Sequence, residues 1–327
     1  MVSQNEKFCK IIEQNIVMEG IDPEILLIEI TRSCNLRCVH CFNESSDAIS
    51  NFSCDSIIAA CKTLDNYGIK QIILSGGEPV IHPDFIKIIE EIMNNCEIPI
   101  KVLTNGTLLT PYIVDFLIKN SISLQITLNG HNELIDGAMR NSAFEKTVKN
   151  IKKIIERGGK ELLTVNYSIS KLNLLYIVDF IEFCRKLGLL NVQFSFVQNI
   201  GRARDNWEQL KISKTDMIKV LNEITELKMI YSDVVISFSG IDQFISSIIS
   251  SRVISCKKLC EEIEINNQGI VSLCPKLSTY CSCNGFENNV NLDDVAKIIR
   301  LPFVANNDCI LCNKYHRCVI SCLIQKI

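Results

Sequence analysis

The 327-residue sequence has no block of Lys or Arg, no run of 18 uncharged apolar residues, no internal repeat and no low-complexity tract. Each absence removes a class of protein. With a net charge of -3 and a pI of about 5.9, no stretch can track a phosphate backbone over several contacts, so nucleic acid is not expected as a partner. Without a long apolar run no membrane-spanning helix is expected. The opening segment MVSQNEKFCKIIEQNIVMEG carries acidic residues where a secretion signal needs a continuous apolar core, so a cytoplasmic location is expected. Hydrophobic residues at 47% and charged residues at 22% are ordinary globular usage and exclude a disordered or collagen-like chain. The length accommodates a barrel of about 200 residues with a smaller companion domain.

What the chain has in excess is cysteine, 17 residues of it. Disulfides are the usual reading in a small secreted protein. Here ten of the cysteines fall into two groups with metal-type spacing, which makes metal or iron-sulfur ligation the leading expectation.

Between about Glu24 and Gln198, short β-branched runs alternate with amphipathic stretches, the pattern of a parallel sheet built from βα units. Strands are expected at Leu26 to Ile30, Gln71 to Leu74, Ile100 to Leu103, Leu124 to Leu128, Leu163 to Ser168 and Val192 to Val197. The clearest helix places Phe144, Val148, Ile151, Ile154 and Ile155 on one face and is stopped by Gly158 and Gly159. Six such units predict an α/β fold, a partial (β/α)6 barrel of the TIM type, with functional loops at the C-terminal ends of the strands. The expected division is an N-terminal extension over 1–23, the partial barrel over 24–198, a bridging segment over 199–239, and a small cysteine-rich iron-sulfur domain over 240–327. The bridge shows a helical pattern around Thr215 to Leu227 and a strand around Val234 to Phe238.

Directly after the first strand, Cys34, Cys38 and Cys41 form a C-x3-C-x2-C loop. Three thiolates can hold three irons of a four-iron cluster and leave the fourth iron open to a ligand; on spacing alone a zinc knuckle with His40 as fourth ligand is the alternative. Ser75-Gly76-Gly77-Glu78-Pro79 ends the second strand, with glycines that permit close backbone approach and a carboxylate suited to an ammonium group.

Together these motifs resemble the radical S-adenosylmethionine (SAM) family, with His40 in place of the usual aromatic residue. Leu103-Thr104-Asn105-Gly106 resembles the family's third-strand signature, and Ile126-Thr127-Leu128-Asn129-Gly130 its fourth, with Thr127 for serine and Asn129 for aspartate. The resemblance implies that a 4Fe-4S cluster on Cys34, Cys38 and Cys41 reductively cleaves SAM to methionine and a 5'-deoxyadenosyl radical, which abstracts hydrogen from the substrate. It further implies that Gly76, Gly77, Glu78, Thr104, Asn105, Thr127 and Arg140 help bind SAM, with Glu78, Thr127 and Arg140 converging on its methionine end, and that Phe42 and Val197 lie near its adenine.

The C-terminal Cys309, Cys312, Cys318 and Cys322 make C-x2-C-x5-C-x3-C, preceded by Cys256 and Cys274 around Gly269. This resembles the SPASM domain, an extension carrying auxiliary iron-sulfur clusters. By that resemblance Cys256, Cys260, Cys274 and Cys322 hold one auxiliary cluster, and Cys309, Cys312 and Cys318 hold a second. Cys283 is the favoured fourth ligand of the second, with Cys281 or an open iron as alternatives. The implied function is a radical SAM peptide maturase that introduces a thioether or carbon-carbon crosslink, or an epimerisation, into a ribosomal precursor peptide. About 25 residues precede the first strand, so either a separate leader-binding protein delivers the peptide or its leader binds directly; flavodoxin or ferredoxin is the implied reductant. A sulfatase-maturating, formylglycine-forming dehydrogenase is a weaker reading, because Pro275-Lys276 stands where those enzymes carry an acidic base. A non-catalytic iron-sulfur scaffold leaves the Gly-Gly-Glu and Thr-Asn-Gly motifs without a role.

Overall fold

The computed structural model describes residues 24–65, 68–239, 262–272 and 283–284. In chain order the elements are β1 (Ile25–Thr31), α1 (Cys54–Asp65), β2 (Gln71–Gly76), α2 (Phe85–Asn95), β3 (Ile100–Thr104), α3 (Pro111–Lys119), β4 (Ser123–Thr127), α4 (Glu133–Arg140) and α5 (Phe144–Glu156). They continue with β5 (Leu163–Ile169), α6 (Ile177–Lys186), β6 (Asn191–Phe196), α7 (Trp207–Leu210), α8 (Lys214–Ile230), β7 (Val235–Phe238), β8 (Glu262–Ile265), β9 (Ile270–Ser272) and β10 (Cys283–Asn284). All six expected strands are present, and each is followed by a helix, as the α/β plan requires. Cys256, Cys260, Cys274, Cys281, Cys309, Cys312, Cys318 and Cys322 lie outside the described residues, as does the N-terminal extension.

Two compact units make up the chain. The first comprises Met1–Ser33, Asp47–Lys101 and Asp242–Lys326. Its β1 is apolar at nearly every position and buried from Leu26 to Thr31, the composition of a strand covered on both faces. β1 pairs in parallel with β2, from Ile25 opposite Gln71 to Glu29 opposite Ser75. The register then shifts, so that Thr31 faces Gly76 at the C-terminal end. On the other side of β1 lies β8, also parallel, with Ile25 opposite Glu262. α1 buries Ile57, Ala60, Cys61 and Leu64, and α2 buries Phe85, Ile88, Ile89 and Ile92, the spacing of one apolar helical face.

The second unit comprises Cys34–Ser46 and Val102–Ile241; β3 spans the division between the two. Its strands β4, β5, β6 and β7 are successive parallel neighbours. The strand expected in the bridging segment therefore joins β6 as a further parallel neighbour, with Asn191 opposite Val235. Tyr167, Phe180 and Phe194 are fully buried, with ring centroids 4.4 and 5.6 Å from Tyr167.

α5 forms where expected, but its buried face is Thr147, Asn150, Ile151 and Ile154, while Phe144, Val148 and Ile155 are half-buried. The rotation has a polar cause. Thr147 Oγ1 donates to Asn105 O at 3.0 Å and Asn150 Nδ2 to Gly106 O at 2.8 Å. Asn150 satisfies the Gly106 carbonyl, and Thr147 shares the Asn105 carbonyl with Arg140. Cys61, Cys96 and Cys184 are buried and Cys54 is half-buried, packed as small apolar side chains.

Candidate active site

In the first unit the Gly-Gly-Glu corner packs against the end of β1. A Cβ on Gly76 would lie 2.1 Å from Thr31 O, and one on Gly77 2.3 Å from Ser33 O. Gly76 also sits at φ +135°, so glycine is required twice over. The close approach permits Gly77 N–H to donate to Thr31 O at 2.7 Å and Glu78 N–H to Ser33 O at 2.8 Å. Glu78 is fully buried, and its Oε1 accepts from Val80 N at 3.3 Å at the start of a 3-10 turn over Pro79–Ile81.

The cysteine loop belongs to the second unit, where Cys34 is buried and Cys38 and Cys41 are half-buried. Cys34 Sγ accepts from Leu36 N–H at 3.4 Å and from Asn105 Nδ2 at 4.0 Å. Cys41 Sγ donates to Asn43 Oδ1 at 3.1 Å. Asn105, just past β3, also donates to Asn35 Oδ1 at 2.9 Å, and Thr104 Oγ1 accepts from Gly106 N at 3.0 Å. The Thr-Asn-Gly motif thus ties the end of β3 to the start of the cysteine loop.

Behind this loop lies a buried polar network. Arg140, at the end of α4, is fully buried: Nη1 donates to Thr127 O and, at 3.3 Å, to Asp136 Oδ1, while Nη2 donates to Asn105 O at 2.7 Å and Thr147 Oγ1 at 3.2 Å. One residue thereby joins the C-terminal ends of β3 and β4. Asn129 is equally buried, its N–H on Asp136 Oδ1 at 2.7 Å, its Oδ1 accepting from Ser168 N at 2.7 Å, and its Nδ2 donating to His40 Nε2 at 3.3 Å. The two departures from the family pattern, His40 and Asn129, therefore meet each other.

Burial, aided by the Arg140 charge, lowers His40 to about 4, so its imidazole is neutral. Burial pushes the Cys38 thiol up to about 12, against a downward pull from Arg140 and an upward one from Cys41 and Cys34. Asp136 is raised by burial despite its pairing with Arg140.

Val197 follows β6 and packs with Met139, Ala203 and Leu210 in an apolar cluster that Val39 also touches. Phe42 is partly exposed and Thr127 half-buried. Sequence reasoning missed the turn after β6, where Gly201, Arg202 and Asn206 contact the cysteine loop; the signal available was a Gly-Arg pair just beyond a strand's C-terminal end. It also missed Asp136, whose spacing of four from Arg140 on one helix was readable.

The donor set fits a cluster held by three thiolates. Cys34, Cys38 and Cys41 share one loop, in which Leu36 and Asn105 direct N–H groups at the Cys34 sulfur and Cys41 lies against Asn43. Among the described residues, the buried polar side-chain atoms without a hydrogen-bond partner are His40 Nδ1 in this loop, His131 Nδ1 after β4, and Asp136 Oδ2 and Arg140 Nε on α4. Such a concentration marks a place where polar ligand atoms are accommodated. Asn129 occupies the Nε2 of His40, so only Nδ1 of that ring is open to a ligand. Among the described residues no three His, Cys, Asp or Glu side chains converge for a single metal ion.

Residues 28–184 match the model of the radical SAM superfamily. The AdoMet-dependent heme synthase of Methanosarcina barkeri is 29% identical over 211 residues, covering 63% of this chain and 59% of that protein. The antilisterial bacteriocin subtilosin biosynthesis protein AlbA of Bacillus subtilis is 30% identical over 182 residues, covering 54% and 40%. The chain thus spans about half the length of these curated relatives. Streptococcus suis SuiB bound to S-adenosylmethionine superposes with a TM-score of 0.72 over 91% of this chain and 73% of its own, at 16% identity, and shows that the two share a fold. The cysteine loop, the Gly-Gly-Glu corner and the Arg140 network all fall within the segment, residues 28–184, that matches the radical SAM superfamily.

Proposed function

We propose that the chain is a radical SAM peptide maturase, acting on a ribosomal precursor peptide to form a thioether or carbon-carbon crosslink or to epimerise a residue. The observation that carries the cofactor half of this reading is the cysteine loop lying over a buried network in which Arg140 and Asn129 join strand ends. When bound, the cluster and SAM supply a one-electron cleavage that generates a hydrogen-abstracting species. Cys34, Cys38 and Cys41 hold the cluster, and Asn105 keeps an N–H directed at the Cys34 sulfur. Thr127 and the unpartnered Nε of Arg140 are the groups proposed to meet the SAM carboxylate, Glu78 its amino group, and Phe42 and Val197 its adenine.

The peptide half rests on relatives: AlbA is a bacteriocin biosynthesis protein, and SuiB has also been solved with its precursor peptide SuiA. Auxiliary clusters on Cys256, Cys260, Cys274 and Cys322, and on Cys309, Cys312 and Cys318 with Cys283, belong to the same proposal, within a SPASM-like segment over 240–327. So do a leader-binding partner and a flavodoxin or ferredoxin reductant. The sulfatase-maturating alternative lacks its base at Pro275-Lys276.

Anaerobic reconstitution with iron and sulfide, then dithionite and SAM, tests the cofactor reading. About twelve irons per chain and formation of 5'-deoxyadenosine are expected, falling to about eight irons and no cleavage in a Cys34→Ala/Cys38→Ala/Cys41→Ala variant. Iron-replete protein that leaves SAM intact would point to a scaffold.

A further inference from the structure

We infer that the turn after β6 is a clasp for the cysteine loop, with Arg202 as its positioning residue; the effect on a cluster rests on the reading above, the clasp itself does not. Four donors from this turn meet four carbonyls of the loop. Arg202 Nη1 donates to Cys38 O at 2.9 Å and Nη2 to Ser45 O at 2.6 Å, so one planar fork closes the two ends of the segment that contains Cys41. Arg202 N–H donates to Cys41 O at 2.8 Å, and Asn206 Nδ2 to Val39 O at 3.2 Å. Gly201, at φ +60°, lets the turn close: a Cβ there would stand 2.1 Å from Phe42 O.

None of these bonds involves a thiol, so the clasp leaves the three sulfurs available while holding the backbone that carries two of them. The Arg202 guanidinium sits on Cys38 O and Ser45 O, to either side of Cys41, so its charge lies against the backbone of the cysteine loop. A cluster gains negative charge on reduction, so a fixed cation against its loop favours the reduced form. Arg202 thus has two separable effects, one through geometry and one through charge.

Wild type, Arg202→Lys and Arg202→Gln, as full chains, separate them. In metal-free protein, hydrogen exchange at the amides of Val39 and Cys41 is expected to quicken at least tenfold in Arg202→Gln, with α6 unchanged. In reconstituted protein, the EPR-monitored midpoint of the cluster on Cys34, Cys38 and Cys41 shifts to a more negative potential in Arg202→Gln and is restored toward wild type by Arg202→Lys. Unchanged loop exchange overturns the clasp, and an unchanged midpoint overturns its effect through charge. Should Arg202→Gln unfold throughout, Asn206→Ala, which removes the bond to Val39 O and the Asn206 bonds to Arg202 O and Gln209 within the turn, carries the test: faster exchange confined to the loop supports the clasp, and wild-type exchange there overturns it. A wild-type chain that takes up no iron on the three cysteines yet shows the loop effect keeps the clasp and sinks the cluster reading.

Discussion

Two buried side chains show how single residues shape this site. Arg140 was legible in the sequence as a family arginine, but not as a residue whose Nη groups are all directed at protein acceptors. Removing one partner of a buried, hydrogen-bonded ion pair leaves the other charge uncompensated. Arg140→Gln is expected to lower the stability of SAM-free protein by about 3–5 kcal/mol in urea denaturation; a role confined to SAM would leave that midpoint in place. His40 gives a pH test. Its pKa falls from 6.5 to about 4 in the fold, so the unfolded chain binds the proton more readily and acid favours unfolding. The contribution is fully present above pH 6.5 and is lost as pH falls toward 4. Between about pH 7 and about pH 5 this amounts to about 2 kcal/mol, and in His40→Phe that part of the pH dependence should vanish from the unfolding free energy.

Among the elements, turns decide more than strands do. The strands were readable within a residue or two because β-branched runs have few other places to go. The turns were readable only as motifs. Gly77 and Gly201 both stand where a Cβ would meet a neighbouring carbonyl, of Ser33 at 2.3 Å and of Phe42 at 2.1 Å. Gly201→Ala is expected to displace the cysteine loop and lower iron retention against a chelator several-fold, whereas Gly158→Ala, with nothing within 4 Å but φ +83°, carries only local backbone strain and should retain iron as wild type does. The rotated face of α5 belongs to the same lesson: apolar spacing placed the helix, and two loop carbonyls chose which of its sides is buried.

For the whole molecule, metal loading is the natural probe. With Cys38 raised to about 12 by burial, cluster assembly must displace a thiol proton, so iron occupancy after reconstitution should rise from about pH 6.5 to about pH 8.5. A flat profile would mean that the Cys38 proton does not limit cluster assembly. Among the described residues no helix is long and apolar enough to cross a membrane. By itself the sequence determined the α/β plan, the order of βα units and the cysteine loop, because periodicity and ligand spacing are local properties that survive without a fold. Only the tertiary structure decided that His40 meets Asn129, that Arg140 joins two strand ends, and that Arg202 closes on a loop more than 150 residues earlier. Those pairings depend on which carbonyls are left unpaired once the strands are side by side, and no local pattern in a chain records that.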